Sequence, residues 1–595
     1  MAVDLLGLKF KMNSRLYLAV VFAFVFGNVG AVADDPQWSF KPLADKVLPE
    51  SDASPWIANT LDGFILEKLK DHDLMPQDQA DRHSLIRRVS ATLTGLPPSV
   101  EQIEDFLTDS DPGAYARMVD RLLASPHYGE RWARHWLDVA RFGESNGILT
   151  VNEDKVRGDA WQYRDAVIRA FNADLPFDQF VRFQFVDSPE GQKSYRPLRQ
   201  FIHLGTRLQN NADPNDKQFH RLDDMISTTG NAFLGLTLGC ARCHDHPVDP
   251  VTTEEYYRFS AIFFDQVRES PKASRKKIPL SITRPRILLK GSWATPGPAV
   301  KPGYVYKLMR QPVEYWQGQG KENLESLAHW LTDTGQGAGE QLARVMVNRI
   351  WHYHFGRGLV ATPNDFGSLG SRPSHPRLLD WLAVQFIKGG WKIKPIHRLI
   401  LGSSTYRQSS ARQLAAVAED TDNSLLWEYR PRRLEGEIIR DHLLSVAGVL
   451  RNEMFGRSIS IGNYKKSEDD RPESWRRSIY LQVHRAVRHP TLSLFDPPDS
   501  ERSDGARTSA SSPQSALFAL NAPFLWTLSS HFAKRIEKEA GEDMVNRIEH
   551  AYMLALCRPP RENELEIGLR FLRSGNTLTD YAHMIFGLNE FIYVH

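Results

Sequence analysis

Apolar residues recur at intervals of three and four along most of this chain, a spacing that suits one face of an α-helix and not a strand. Leu61, Phe64, Ile65 and Leu69 form the first stripe. Leu85, Ile86, Val89 and Leu93 form the next, stopped by Gly95 and Pro97-Pro98. The same period returns at 115–123, 159–173, 222–236, 256–263, 324–332, 341–355, 378–388, 395–401 and 438–450. Between the two long helical stretches, residues 266–322 are first rich in Lys and Arg. They then lean toward β at 278–282 and 287–289, and end rich in Gly and Pro. The expected fold is therefore mainly α, with two helical domains (34–265 and 323–595) joined by an irregular, partly β segment at 266–322. One further run, 478–483, alternates enough to read as a strand.

With 595 residues, 41% of them apolar, the chain can bury a sizeable core. Its net charge of +2 offers no electrostatic case for nucleic acid. Three cysteines exclude a disulfide scaffold.

Residues 12–33 have the three parts of a secretory signal. Met12 to Arg15 is a short basic start, 16–27 an apolar run, and Ala31-Val32-Ala33 a small-residue cleavage site. The expectation is a protein exported to the periplasm or cell surface, cut near Ala33, with no transmembrane segment in the mature chain.

Two of the cysteines lie in Cys240-Ala-Arg-Cys243-His244, the spacing at which c-type haem is attached. Two thiols one turn apart can each add to a haem vinyl group, and the adjacent His then serves as proximal iron ligand. Haem c, held by Cys240, Cys243 and His244, is the first expectation, with Met225, His135 or His246 as candidates for the sixth ligand. Zinc is the alternative, because Cys240, Cys243, His244 or His246, and Asp249 are all legitimate ligand types. A disulfide between Cys240 and Cys243 is a third reading. Asp245 or Asp249 could hydrogen-bond the His244 ring or cap the next helix, for which Thr252-Thr-Glu-Glu255 offers a capping box. Cys557, at a helix end, reads as a buried free thiol.

His127 to Phe142 reads as an amphipathic helix, with Trp132, Trp136 and Val139 on one face and charges pairing at i,i+3 and i,i+4. A sharper reading turns His135 toward a cofactor. Asp138, Glu144 and Asp365 are the acids in promising places, although Asn364-Asp365-Phe366-Gly367 also fits an ordinary turn. No nucleophile elbow, zinc-protease helix or phosphate loop occurs.

Several longer stretches carry a resemblance. In the first half they are Leu93-Thr-Gly-Leu-Pro-Pro98, the run from Ser125 to Asp138, and Gly239 to His246 with Asp249-Pro250. In the second they are Ala343 to Trp351, His354 to Leu359, Thr362 to Gly367, Ser404 to Ser409 and Asn589-Glu-Phe591. On these the chain resembles exported planctomycete proteins that pair a cytochrome-like domain with a C-terminal planctomycete-specific domain of unknown function. Two departures are Pro247, where the family usually has a basic residue, and the loop at 503–511, which lacks an expected cysteine and paired arginines. The resemblance implies a cytochrome-type domain and names no reaction. The expected function is thus an exported haem-binding protein for electron transfer or haem-dependent oxidation, working with a redox partner protein. The alternative is a non-redox exported hydrolase or carbohydrate-handling scaffold with a structural metal, and with it a possible polysaccharide association.

Overall fold

Helices carry the chain, as the spacing predicts. The computed structural model describes residues 38–44, 48–49, 54–147, 154–208, 212–267, 282–460, 471–507 and 513–595. The signal-like segment at 12–33 and most of the β-leaning run at 278–282 lie outside the described residues. By contacts the chain divides into Met1–Lys41, where a 3₁₀ turn is described at Trp38–Phe40, and Pro42–His595.

Within Pro42–His595 the helix Pro126–Val139 occupies a central place. Every residue from Tyr128 to Val139 is buried, its charged ones included. It packs against Trp161–Asn172 at a point that requires glycine: a Cβ on Gly129 would sit 2.5 Å from the Ile168 carbonyl oxygen. The Gly129 amide donates instead to Asn172 Oδ1 at 2.8 Å. Trp136 then fills the space beside Phe180, Phe201 and Phe233, and its indole N–H donates to the Tyr163 hydroxyl at 2.9 Å. Of the helical pairs expected here, Arg134 with Asp138 forms at i,i+4. His127 also meets Glu130 at i,i+3, with 2.7 Å between Nδ1 and Oε2. Arg131 and Glu130 reach distant segments too, because from Tyr128 onward no face of the helix is open to water.

The second half has its own apolar core. Ile438, Leu443 and Leu444 of the helix Gly436–Val446 meet Phe524, Leu528 and Phe532 of Pro523–Ala540, with Ile585 and Phe586 of Leu578–Phe586 closing over them.

The halves interlock through polar groups. Asp62, fully buried in the helix Thr60–Lys70, accepts from the Ser404 and Thr405 amides. Arg88 donates to the His595, Tyr406 and Gln408 carbonyls and lies 3.6 Å over the Tyr429 ring.

Strands are few and short. Arg286–Leu288 pairs antiparallel with Pro296–Ala299, the small sheet expected in the joining segment, and Arg432–Arg433 pairs with Tyr593–Val594 near the C-terminus. The strand expected at 478–483 does not form. Ser478–Tyr480 is a 3₁₀ turn, and Leu481 makes only an isolated bridge to Ile459. The cause is local: Asp441 takes both the amide and the hydroxyl of Ser478, at 2.8 and 2.7 Å, so the backbone bonds a side chain where a ladder would need it. Among the described residues, no helix is long and apolar enough to cross a membrane.

Candidate functional site

The Cys-x-x-Cys-His run lies in the connection between two helices, as its sequence surroundings predict. The helix Pro214–Thr229 passes into a π turn at Gly230–Leu234, ended by Gly235 in the left-handed region at φ +59°. A 3₁₀ turn at Leu238–Arg242 follows, and the helix Thr253–Phe263 starts on the expected capping box. Thr252 Oγ1 accepts from the Glu255 amide at 3.1 Å, and Glu255 Oε2 accepts from the Thr252 amide at 2.8 Å.

Inside that connection the cluster divides into an exposed part and a buried part. Leu238 and Ala241 are buried and anchor the turn, while the Tyr257 hydroxyl holds it by donating to the Arg242 carbonyl at 3.0 Å. Cys240 and Cys243 are exposed free thiols in this structure. Gly291, at φ +72°, lies so close that a Cβ there would meet Cys243 Sγ at 2.7 Å. The turn Leu289–Gly291, which follows the first strand of the joining segment, therefore backs directly onto the second thiol. His244 is exposed as well, and its Nδ1 lies 2.7 Å from the Asp245 carbonyl oxygen. A carbonyl only accepts, so the ring hydrogen sits on Nδ1 and the Nε2 lone pair is left free. The Asp245 carboxylate accepts from the Thr253 amide at 2.8 Å, which makes it a cap of the next helix; only its backbone reaches His244.

His246 and Asp249 belong to the buried part. His246 Nδ1 accepts from the Asp249 amide at 2.9 Å, so its ring hydrogen is on Nε2, a buried atom with no hydrogen-bond partner. Asp249 Oδ1 accepts from the Ser368 amide at 2.6 Å. The turn at 362–367 is thus a docking element. Phe366 donates its amide to the Gly235 carbonyl at 2.7 Å, and Arg349 spans Asn231 O and Asn364 Oδ1 at 2.6 and 2.9 Å. Burial pushes the Asp365 carboxyl upward, its acceptance from the Gly367 amide opposes that, and the nearby Asp249 adds to the rise. Among the described residues, no group of three or more His, Cys, Asp or Glu side chains is arranged to hold a metal ion.

The remaining sixth-ligand candidates lie in other surroundings. His135 is stacked on Tyr353, ring centroids 3.4 Å apart, and packs edge-on to Trp132; burial holds its imidazole well below the ordinary range. Met225 is buried in the helix Pro214–Thr229. That helix packs against the turn Leu238–Arg242 that carries Cys240. Cys557 is the buried thiol expected, pushed up to about 12 by burial.

One charged cluster went unrecognised in the sequence. Arg507 donates from Nε to Asp138 Oδ2 at 2.7 Å and from both Nη atoms to Glu437 at 2.6 and 2.9 Å; it also lies 3.5 Å from Glu435. Arg131 clamps Glu435 with two bonds of 2.6 and 3.0 Å. Besides its helical neighbour Arg134, Asp138 thus has a second cationic partner 369 residues away, beyond any local pattern. Arg507 sits in the loop that departs from the family pattern, and here that loop supplies the central cation.

Two family models match the chain. Residues 60–269 match PSCyt2, a protein of unknown function (DUF1549), and residues 323–572 match PSD1, a protein of unknown function (DUF1553). The chain thus pairs two domains of unknown function. Neither the curated proteins nor the solved structures contain a match.

Proposed function

We propose that this is an exported protein bearing haem joined covalently through Cys240 and Cys243, with His244 as iron ligand, that serves electron transfer or a haem-dependent oxidation with a redox partner protein. The observation that carries the reading is the state of His244 beside two free thiols. Its Nδ1–H is spent on the Asp245 carbonyl, which leaves Nε2 as the donor and limits rotation of the ring. Both thiols are exposed, so thioether formation asks for no rearrangement of the core. Bound at this turn, the group would supply one-electron chemistry. The chain's own part is to hold the thiols on a turn anchored by Leu238, Ala241 and Tyr257, and to hold the imidazole in one tautomer.

Of the zinc ligands considered, His246 fits less well: its Nδ1 is already an acceptor and its Nε2 carries the hydrogen, so in this tautomer neither nitrogen can donate to a metal. His244 Nε2 is as open to zinc as to haem iron, so the pigment and metal content distinguish the two.

Produced in a host that matures c-type cytochromes, the protein should show a Soret band, and the pigment should stay on the polypeptide in acid acetone. Cys240→Ala or Cys243→Ala should weaken or abolish attachment, whereas Cys557→Ala should leave it intact. His244→Ala should shift the spectrum through loss of the proximal nitrogen. A colourless protein containing zinc, from a competent host, would overturn the reading in favour of a structural metal.

Export is part of the same proposal. N-terminal sequencing of the exported protein should begin close to Asp34; a chain that keeps residues 16–27 in the membrane fraction would contradict it.

A further inference from the structure

A groove of about 990 Å³ lies remote in sequence from the cysteines. One wall is the Leu96-Pro97-Pro98 turn after the helix Arg82–Leu93, and the opposite wall is the last turns of Pro523–Ala540. The two family-matched regions therefore face each other across it.

Its charge is one-sided. Lys534 and Lys538 are exposed on the same helical face, four residues or about 6 Å apart along the axis. Neither ammonium has an acidic partner among the described residues. Arg121 stands among the lining residues, with only a 3.6 Å contact to the exposed Asp105. The one carboxylate in the lining, Glu539, is already engaged by Arg535 at 2.9 Å and His550 at 2.7 Å. Because the whole chain is close to neutral, this is a local concentration of free positive charge.

Neutral polar groups lie beside the cations. Ser90, 1% exposed, has a hydroxyl with no hydrogen-bond partner. Ser125 Oγ accepts from the His127 amide and keeps its own hydrogen free, and Asn452 is exposed. No Trp, Tyr or Phe lines the groove, so nothing there offers a stacking face for nucleobases. Two ammonium groups one helical turn apart, with hydroxyl and amide groups lining the same groove, complement a chain that bears both anions and hydroxyls. We infer that this groove binds an acidic polysaccharide, with Lys534 and Lys538 meeting successive sulfate or carboxylate groups.

Heparin and alginate separate sulfate from carboxylate as the anion recognised, while neutral dextran, oligodeoxythymidine and poly-glutamate test the polysaccharide class. The full exported chain should bind heparin, alginate or both, more weakly as salt rises, and should not bind dextran. Lys534→Glu/Lys538→Glu should weaken binding about tenfold or more, as expected from the loss of two charge-assisted contacts, with an unchanged circular dichroism spectrum. Lys534→Gln/Lys538→Gln should fall between, which guards against a folding artefact of charge reversal. The inference is overturned if neither polysaccharide binds, if both lysine variants bind like wild type, or if oligodeoxythymidine or poly-glutamate competes as well as the polysaccharides.

Discussion

Replacing Arg507 with Met should destabilise the protein by about 3–5 kcal/mol at neutral pH, the usual cost of removing one partner from a buried charge cluster. Arg507 is 8% exposed in its side chain and bonds Asp138, itself only 1% exposed there, together with Glu437. Met fills much of the volume but leaves the carboxylates facing one another without the guanidinium between them. Lys should recover only part of the loss, since one ammonium cannot reproduce a two-pronged bond to Glu437 and a third bond to Asp138.

The same cluster sets a pH dependence. Burial opposes ionisation of Glu437, and Arg507 outweighs it, holding the carboxyl below the ordinary range. Glu435 is likewise opposed by burial and held well below that range by Arg131 and Arg507. A carboxyl whose folded pKa lies below its unfolded value stabilises above the unfolded value, about 4.3 for Glu, and the contribution disappears as pH falls through the folded one. Urea midpoints for wild type and Arg507→Met should therefore differ most near pH 7 and converge below about pH 4. A difference that stays constant over that range would mean Arg507 acts through packing alone.

Asp62→Ala should bring a loss of similar size, about 3–5 kcal/mol, by another route: orphaned donors at about 1–3 kcal/mol each, partly rehydrated. The Asp62 carboxylate accepts from the Ala58, Asn59, Ser404 and Thr405 amides at 2.9–3.1 Å and from the Thr405 hydroxyl at 2.8 Å. It caps its own helix and at the same time ties that helix to Ser404–Arg407, more than 340 residues later. Asn at this position keeps one acceptor but turns an NH₂ toward N–H groups, so it should lose at least half as much as Ala. Thermal melts give the magnitude. Limited proteolysis near residues 404–411 tests the cause, because release of the tie should expose that stretch first. A variant that melts within a degree of wild type would show that water replaces the carboxylate at no cost.

The helices themselves were legible from local signals. Three- and four-residue apolar spacing, Gly95 with Pro97-Pro98, and the Thr252–Glu255 capping box all act within about one turn, and each appears where the sequence places it. The helical setting of Cys240, Cys243 and His244 was legible for the same reason. Tertiary structure alone decided the rest. It left His244 exposed and buried His246 two residues later, because the turn at 362–367 covers Asp249 and not the thiols. It buried every face of the helix Pro126–Val139, sent Arg131 to Glu435 and brought Arg507 to Asp138, pairings hundreds of residues apart that leave no periodic trace. It also turned the alternating run at 478–483 away from a strand, since a buried Asp441 offered Ser478 a closer partner than any neighbouring backbone. Period and capping report what a segment does with its own backbone; which buried charge meets which is settled only when distant segments are desolvated together, where an unpaired partner costs several kcal/mol.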